Sequence, residues 1–326
     1  MNSNVRQIEY TVTSEDGTVK ARELLKNRLK LSAKEIAHCK QFEDGIMVHR
    51  AENGSQTPSL GGISENGPQP PSPGFIPIKA IDTVSKGDIL RVRIYENIDS
   101  SSEIVPWDTP IDIVYEDEDL ILLNKPGDMV VHPSYAHFTD SLSNALAGYY
   151  NRTGQDHVIR TIGRLDRETS GLIIFAKNRH SAAVLSDQKD RMSRRKEYLA
   201  LCSGLFSEKE GTVDAPIGSK DGNRMVREVR PDGKEAVTHY RVMKQFEDYA
   251  LVRLKLDTGR THQIRVHMQY IGHPLLGDYF YGKEIENSHG MTRAALHAAH
   301  LEFVQPITGQ ELAFEATLPA DMAALL

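Results

Sequence analysis

Residues 163–171 read GRLDRETSG and lie between two apolar runs, VIRTI and LIIFAK. A polar loop held between strands is where functional side chains gather. Here Asp166 sits among Arg164, Arg167, Thr169 and Ser170. Cations that favour its anion and hydroxyls that orient it suit a nucleophile or a positioned base. A capped, solvated turn closed by Gly171 accounts for the same residues, so the loop alone leaves both readings open. A second dense segment, TGRTHQIRVH at 258–267, sets Arg260 and Arg265 five apart. If the preceding strand ends near Thr261, Arg265 points back into the cleft of the sheet. There a guanidinium pairs with a carboxylate or a phosphate; a structural salt bridge is the competing reading.

Other signatures fail on inspection. Residues 277–283 match GxxxxGK, but Glu284 stands where a P-loop needs a hydroxyl for magnesium, and bulky rings fill the loop. No GxGxxG follows a strand, and no GxSxG occurs. Among 13 histidines, His262/His267 and His297/His300 are paired in spacing, yet neither pair is HExxH or encloses a carboxylate. Histidines satisfied by hydrogen bonds are the expectation, with no metal and no cofactor. Cys39 and Cys202 form no CxxC pair and read as reduced thiols.

These loops need a scaffold, and 326 residues exceed what one core usually fills, so two domains are expected. Apolar spacing predicts helices at 21–29 and 33–42, with Ser32 and Glu35 as a capping box. Arg22, Lys26 and Lys34 lie on this helix pair. A strand at 46–48 follows, then a Gly/Pro/Ser-rich stretch at 51–76 that reads as a flexible insertion. Alternation resumes at 76–94 around a Lys86-Gly87-Asp88 turn. Residues 1–95 are therefore expected to form a small α+β unit, 96–110 a linker, and 111–326 a larger domain. In the latter, strands are expected at 111–125, 171–177, 197–204 and twice within 234–257, with helices at 180–188 and 261–272. The fold class is α+β, with a mixed, mainly antiparallel sheet.

Net charge is −6, yet residues 151–300 hold 25 Lys and Arg against 19 Asp and Glu, compatible with one polyanion-binding face. No run approaches a membrane span and no signal pattern opens the chain, so a cytoplasmic protein is expected.

Taken in order, IVYEDEDLILLNKPGDMVVHPS, GRLDRETSGLIIFAKN, KEYLALCSG, TGRTHQIRVHMQYIGHPLLGDYFYG and LHAAHLEFVQPITG resemble the RluA-type pseudouridine synthase family from about residue 110 onward. The front unit resembles, more loosely, the S-four RNA-binding domain. The resemblance implies a pseudouridine synthase fold and isomerisation of uridine in structured RNA without cofactor or metal. It implies that Asp166 is the catalytic aspartate, that Tyr198 stacks on the target base and takes part in proton transfer, and that Arg265 salt-bridges the aspartate. Arg164 is similar to the arginine that enters the RNA stack where the uridine leaves. Arg167 and Arg260, with Arg22, Lys26 and Lys34 at the front, are the remaining candidate RNA contacts. Large-subunit ribosomal RNA is favoured over transfer RNA as substrate, and a monomer is expected. A non-catalytic RNA-binding protein is the alternative, against which Asp166, Tyr198 and Arg265 all stand. Gly163 departs from the family, in which histidine is frequent before Arg-Leu-Asp.

Overall fold

The computed structural model describes residues 5–51, 74–96, 103–190, 195–221, 223–283 and 288–326. The front unit runs β1 (Val5–Thr11), β2 (Val19–Lys20), α1 (Ala21–Asn27), α2 (Ala33–Cys39), β3 (Ile46–His49), β4 (Phe75–Pro77), β5 (Thr83–Val84) and β6 (Ile89–Tyr95). Its main sheet has the order β1-β6-β3-β4, and β2 pairs with β5. The capping box forms as read: Ser32 accepts from the Glu35 amide, and the Glu35 side chain accepts from the Ser32 amide. Leu24, Leu25, Ile46, Val48, Leu90 and Val92 build a core of its own, joined by Ile307 from the far end of the chain. Most of the expected insertion, 52–73, lies outside the described residues. Its last residues correct that reading, because Phe75 and Ile76 belong to β4 and pair with His49 and Val48.

The larger part continues with β7 (Ile113–Glu116), β8 (Leu120–Lys125), α3 (Leu142–Thr153), β9 (Arg160–Ile162), β10 (Ser170–Ala176), α4 (Arg179–Asp190) and β11 (Arg195–Ser203). Then come β12 (Glu210–Asp214), β13 (Ile217–Lys220), β14 (Asn223–Val229), β15 (Val237–Gln245), β16 (Tyr249–Leu256), α5 (Gln263–Tyr270), β17 (Leu296–Val304), β18 (Glu311–Glu315) and α6 (Ala320–Ala323). Ten strands form one sheet along β12-β15-β16-β11-β17-β10-β8-β7, with β18 on β17 and β9 on β10. Pairing is antiparallel except where β10 meets β17. The mixed, mainly antiparallel α+β architecture is as expected.

Strand alternation sorts the apolar residues onto two faces. Ile121, Leu123, Ile173 and Phe175 turn toward Leu142, Leu146 and Tyr150 of α3. Leu120, Leu122, Leu172 and Ile174 turn the other way, toward Leu185 of α4. Farther along the first face, Ala200, Cys202, Val252 and Leu254 cover Ile264 and Met268 of α5. Tyr198 packs against both the α3 cluster and the α5 cluster, so its ring lies at the seam between them.

The two ends of β8, β9 and β10 have different neighbours. At one end the front unit is fastened down. Arg6 donates to both oxygens of Asp119 at 2.8 and 3.0 Å. Glu35 meets His180 at 3.0 Å, and Glu96 meets Arg160 at 2.6 Å. At the other end stand Lys125, the loop holding Asp166, and Ser170. The six residues of β8 separate these ends by about 20 Å.

Candidate active site

Asp166 lies in the loop from β9 to β10. Leu165, just before it, is buried in the α3 cluster, and the Thr169 amide donates to the Asp166 carbonyl at 3.1 Å, closing the turn. Gly171 ends the loop at φ +107°, and a Cβ there would stand 2.3 Å from the Ala298 carbonyl oxygen. Only glycine lets β10 start this close to β17. The Asp166 side chain is 17% exposed, and its nearest cation is Arg164 at 3.9 Å. Among the described residues its carboxylate accepts no hydrogen bond, which leaves its lone pairs open to a substrate.

Arg265 sits in the first turn of α5 and is buried. The expected salt bridge to Asp166 is not what the structure shows. Arg265 donates from Nε and Nη2 to the two oxygens of Asp278, both at 2.6 Å, and from Nη2 to Glu168 at 3.3 Å. The reason is position: the buried Asp278 offers both oxygens in the fork geometry that guanidinium prefers, and its Oδ1 also takes the Phe280 and Tyr281 amides. Glu168 is fixed in turn by the Ala294 amide at 2.7 Å. Burial pulls the Arg265 pKa down, but Asp278 first, then Glu168 and Asp166, hold it above its ordinary value. Asp166 thus acts on Arg265 through space. Nη1 of Arg265 donates to no group among the described residues.

Lys125, at the end of β8, is 1% exposed. Its Nζ donates to the carbonyls of Pro126 and Met129 at 2.7 Å and of Arg167 at 3.0 Å, tying the Lys-Pro turn to the loop that holds Asp166. Burial, seconded by Arg293, brings its pKa down to about 7 against the opposing pull of Asp166 and Asp128. His262 caps α5 from a left-handed conformation, φ 58°, with Nδ1 2.9 Å from the Tyr281 hydroxyl. Burial lowers the His262 pKa, and raises that of Tyr281 to about 12. Both rings are therefore neutral at pH 7.

Tyr198 lies on β11 at a register shift between Glu197 and Tyr198 against β17. The Lys196 ammonium stands 5.4 Å from its ring centroid. Arg164 and Arg167 are exposed beside Asp166, and Arg167 reaches Asp128 at 3.5 Å. Arg260 is exposed just before α5 and donates to the Glu235 carbonyl. Arg22, Lys26 and Lys34 are exposed on the front unit, fastened to the opposite end of the strands.

Sequence reasoning did not single out Lys125, Glu168, Asp278 or Tyr281. Glu168 had a signal, lying two residues after Asp166. Asp278 follows Gly277, whose φ of +70° and close approach to the Arg293 carbonyl mark a forced turn. The paired histidines find hydrogen-bond partners: His267 meets Thr238 and the Ala215 carbonyl, His297 meets Ser170, and His300 meets Glu302.

Asp166 thus stands beside two exposed arginines, and Tyr198 packs on the same apolar cluster as the preceding Leu165. Residues 119–270 match the family model described as RNA pseudouridylate synthase. Over 243 residues the chain is 40% identical to the uncharacterized RNA pseudouridine synthase YjbO of Bacillus subtilis, covering 74% of this chain and 84% of that protein. Over 247 residues it is 40% identical to ribosomal large subunit pseudouridine synthase D of Escherichia coli K12, covering 72% and 76%. The solved structure of human RNA pseudouridylate synthase domain containing 1 aligns at 25% identity with a TM-score of 0.54, covering 64% and 83%. With that level of identity over most of a relative's length, the chain belongs to the RNA pseudouridylate synthase family, in its RluA-type branch, and is an RNA pseudouridine synthase.

Proposed function

We propose that this enzyme isomerises uridines of large-subunit ribosomal RNA, with Asp166 as the catalytic carboxylate. The observation that carries the reading is the Asp166 side chain, part-exposed and accepting no hydrogen bond from the described residues. The reaction must break the bond between uracil N1 and its ribose, turn the base, rejoin it through carbon five, remove the proton from that carbon and leave N1 protonated. A carboxylate with free lone pairs serves as nucleophile or base in these steps. Tyr198, at the seam of the two clusters, offers a ring for the detached base. Nη1 of Arg265, which bonds no group among the described residues, is a donor for Asp166 or for the uracil once RNA closes the site.

Reaching a uridine in folded RNA requires taking it out of the stack. Arg164, 70% exposed beside Asp166, is placed to fill the gap. The front unit, 1–95, supplies further phosphate contacts through Arg22, Lys26 and Lys34. Ribosomal RNA is favoured because the Escherichia coli relative is named for it. The test is pseudouridine mapping in a deletion strain, complemented with wild type or Asp166→Asn. Loss of a large-subunit site restored by wild type alone is expected. Restoration by Asp166→Asn would overturn the role of Asp166, and loss confined to transfer RNA would overturn the substrate.

A further inference from the structure

The loop at 132–141, between the Lys-Pro turn and α3, holds two aromatic rings out in water. Tyr135 is 94% exposed and Phe138 67%. Scattered exposed apolar residues are ordinary on a protein surface. Three observations set these apart. They have company: Asn144 donates to the carbonyls of Phe138 at 3.2 Å and of Val105 at 2.7 Å, drawing the 53%-exposed Val105 alongside. The loop is braced: Ser134 and His137 exchange two backbone hydrogen bonds of 2.9 Å, Ala136 takes φ +66°, and His137 meets Asp140 at 2.8 Å.

The third observation is where the loop is rooted. Lys125 bonds the carbonyls of both Met129 and Arg167, and Asp128 faces Arg167, so the segment leading into the loop runs beside the catalytic turn. His132 meets Thr161 at 2.6 Å, two residues before Gly163. Both flanks of the Asp166 loop are thus stitched to the stalk that presents the rings.

We propose that Tyr135 and Phe138 form a stacking platform for unpaired bases neighbouring the target uridine. The proposal rests on the chain's being an RNA pseudouridine synthase and on the site around Asp166, not on which RNA is modified. Aromatic rings on a stiff loop lose little freedom when a base lands on them, and every base has a face to stack. Arg164 and Arg167 lie on the neighbouring turn to meet the phosphates of the same strand. Extruding a uridine unstacks its neighbours, and the platform receives one of them.

The experiment measures steady-state kinetics of wild type, Tyr135→Ala/Phe138→Ala and Tyr135→Trp/Phe138→Trp on a large-subunit rRNA transcript, or on bulk unmodified transfer RNA if wild type acts there instead. Thermal melts serve as a fold control. The double alanine variant is expected to raise KM at least tenfold, the order of one lost stacking contact, with turnover at saturating RNA within about twofold of wild type and an unchanged melt. The tryptophan pair should restore KM. A synthetic fragment with an abasic site beside the target should lose the same factor with wild type and no more with the alanine variant. An alanine variant with wild-type KM would overturn the platform and leave the patch to a protein partner. Failure of wild type on ribosomal RNA would count only against the substrate proposed above.

Discussion

Two aspartates about one strand length apart have opposite surroundings. Asp119, just before β8, is 2% exposed, and its oxygens take Arg6 in a fork, Asn178 at 2.8 Å and Gln305 at 3.1 Å. Asp166, past the other end of the same strands, is 17% exposed and takes no hydrogen bond among the described residues. A buried anion without donors is costly, so a carboxylate that serves the fold is saturated. One that serves a substrate keeps its lone pairs and leans on nearby charge. Arg265 falls between the two. Two of its nitrogens belong to the framework of Asp278 and Glu168, and the third bonds no group among the described residues.

The comparison is broken most forcefully at Arg265. Arg265→Met strands two carboxylates in the interior and is expected to cost about 3–5 kcal/mol of stability. Urea unfolding measures it, and Arg265→Lys should recover part by restoring charge without the fork. A methionine variant as stable as wild type would show that Arg265 serves the chemistry alone. Asp119→Asn comes next, at about 2 kcal/mol, the order of its lost charged hydrogen bonds. It should loosen the front unit, read as faster amide exchange along β1, while pseudouridine formation on a short fragment continues.

The two ends should also answer pH with the same sign but in different ranges, stability rising with pH at each. Burial pushes the Asp119 carboxyl up, but Arg6, Gln305 and Asn178 together outweigh it and leave the folded pKa below the ordinary value. Its contribution is therefore present above about pH 4, the unfolded value, and lost as pH falls through the folded one. Lys125 titrates near 7 in the fold and at 10.5 outside it. Between those values the unfolded chain holds a proton that the folded chain lacks, so this residue makes stability rise with pH. Melts of wild type and Lys125→Met from pH 6 to 9 should show that slope in wild type only. The smallest effect is expected at Tyr198. Tyr198→Phe should shift stability by less than about 1 kcal/mol and keep RNA affinity while slowing any step that needs the hydroxyl. Tyr198→Leu should also lose the ring offered to the detached base, and a fully active leucine variant would rule that role out.

Local chemistry was legible in the sequence and distant pairing was not. The Ser32–Glu35 capping box, the paired strands up to Lys125 and the helix holding Arg265 follow from spacing over a few residues. Helix α3 went unannounced because Ser141 is answered by Asn144 instead of a glutamate, and Gly148 interrupts its middle. That glycine obeys a tertiary demand, since a Cβ would lie 2.1 Å from the Trp107 carbonyl oxygen. The start of strand β4 was hidden by the Gly/Pro-rich run before it, although alternation was read from Ile76 onward. Arg265 could be read as a buried cation, but its partner Asp278 lies beyond the helix, in the turn forced by Gly277. The Arg6–Asp119 fork joins residues 113 apart, with no local mark on either.

The most direct test sets the two aspartates side by side. Asp166→Asn and Asp119→Asn are each measured for melting temperature and for single-turnover pseudouridine formation on the same RNA. Asp166→Asn should melt like wild type, because none of the described residues donates to the carboxylate, yet fall in rate by at least about a thousandfold, as removal of a catalytic nucleophile or base does. Asp119→Asn should melt several degrees lower and keep its single-turnover rate on saturating RNA. An Asp166→Asn enzyme that is destabilised but still active would contradict the account, because it would make Asp166 the framework residue.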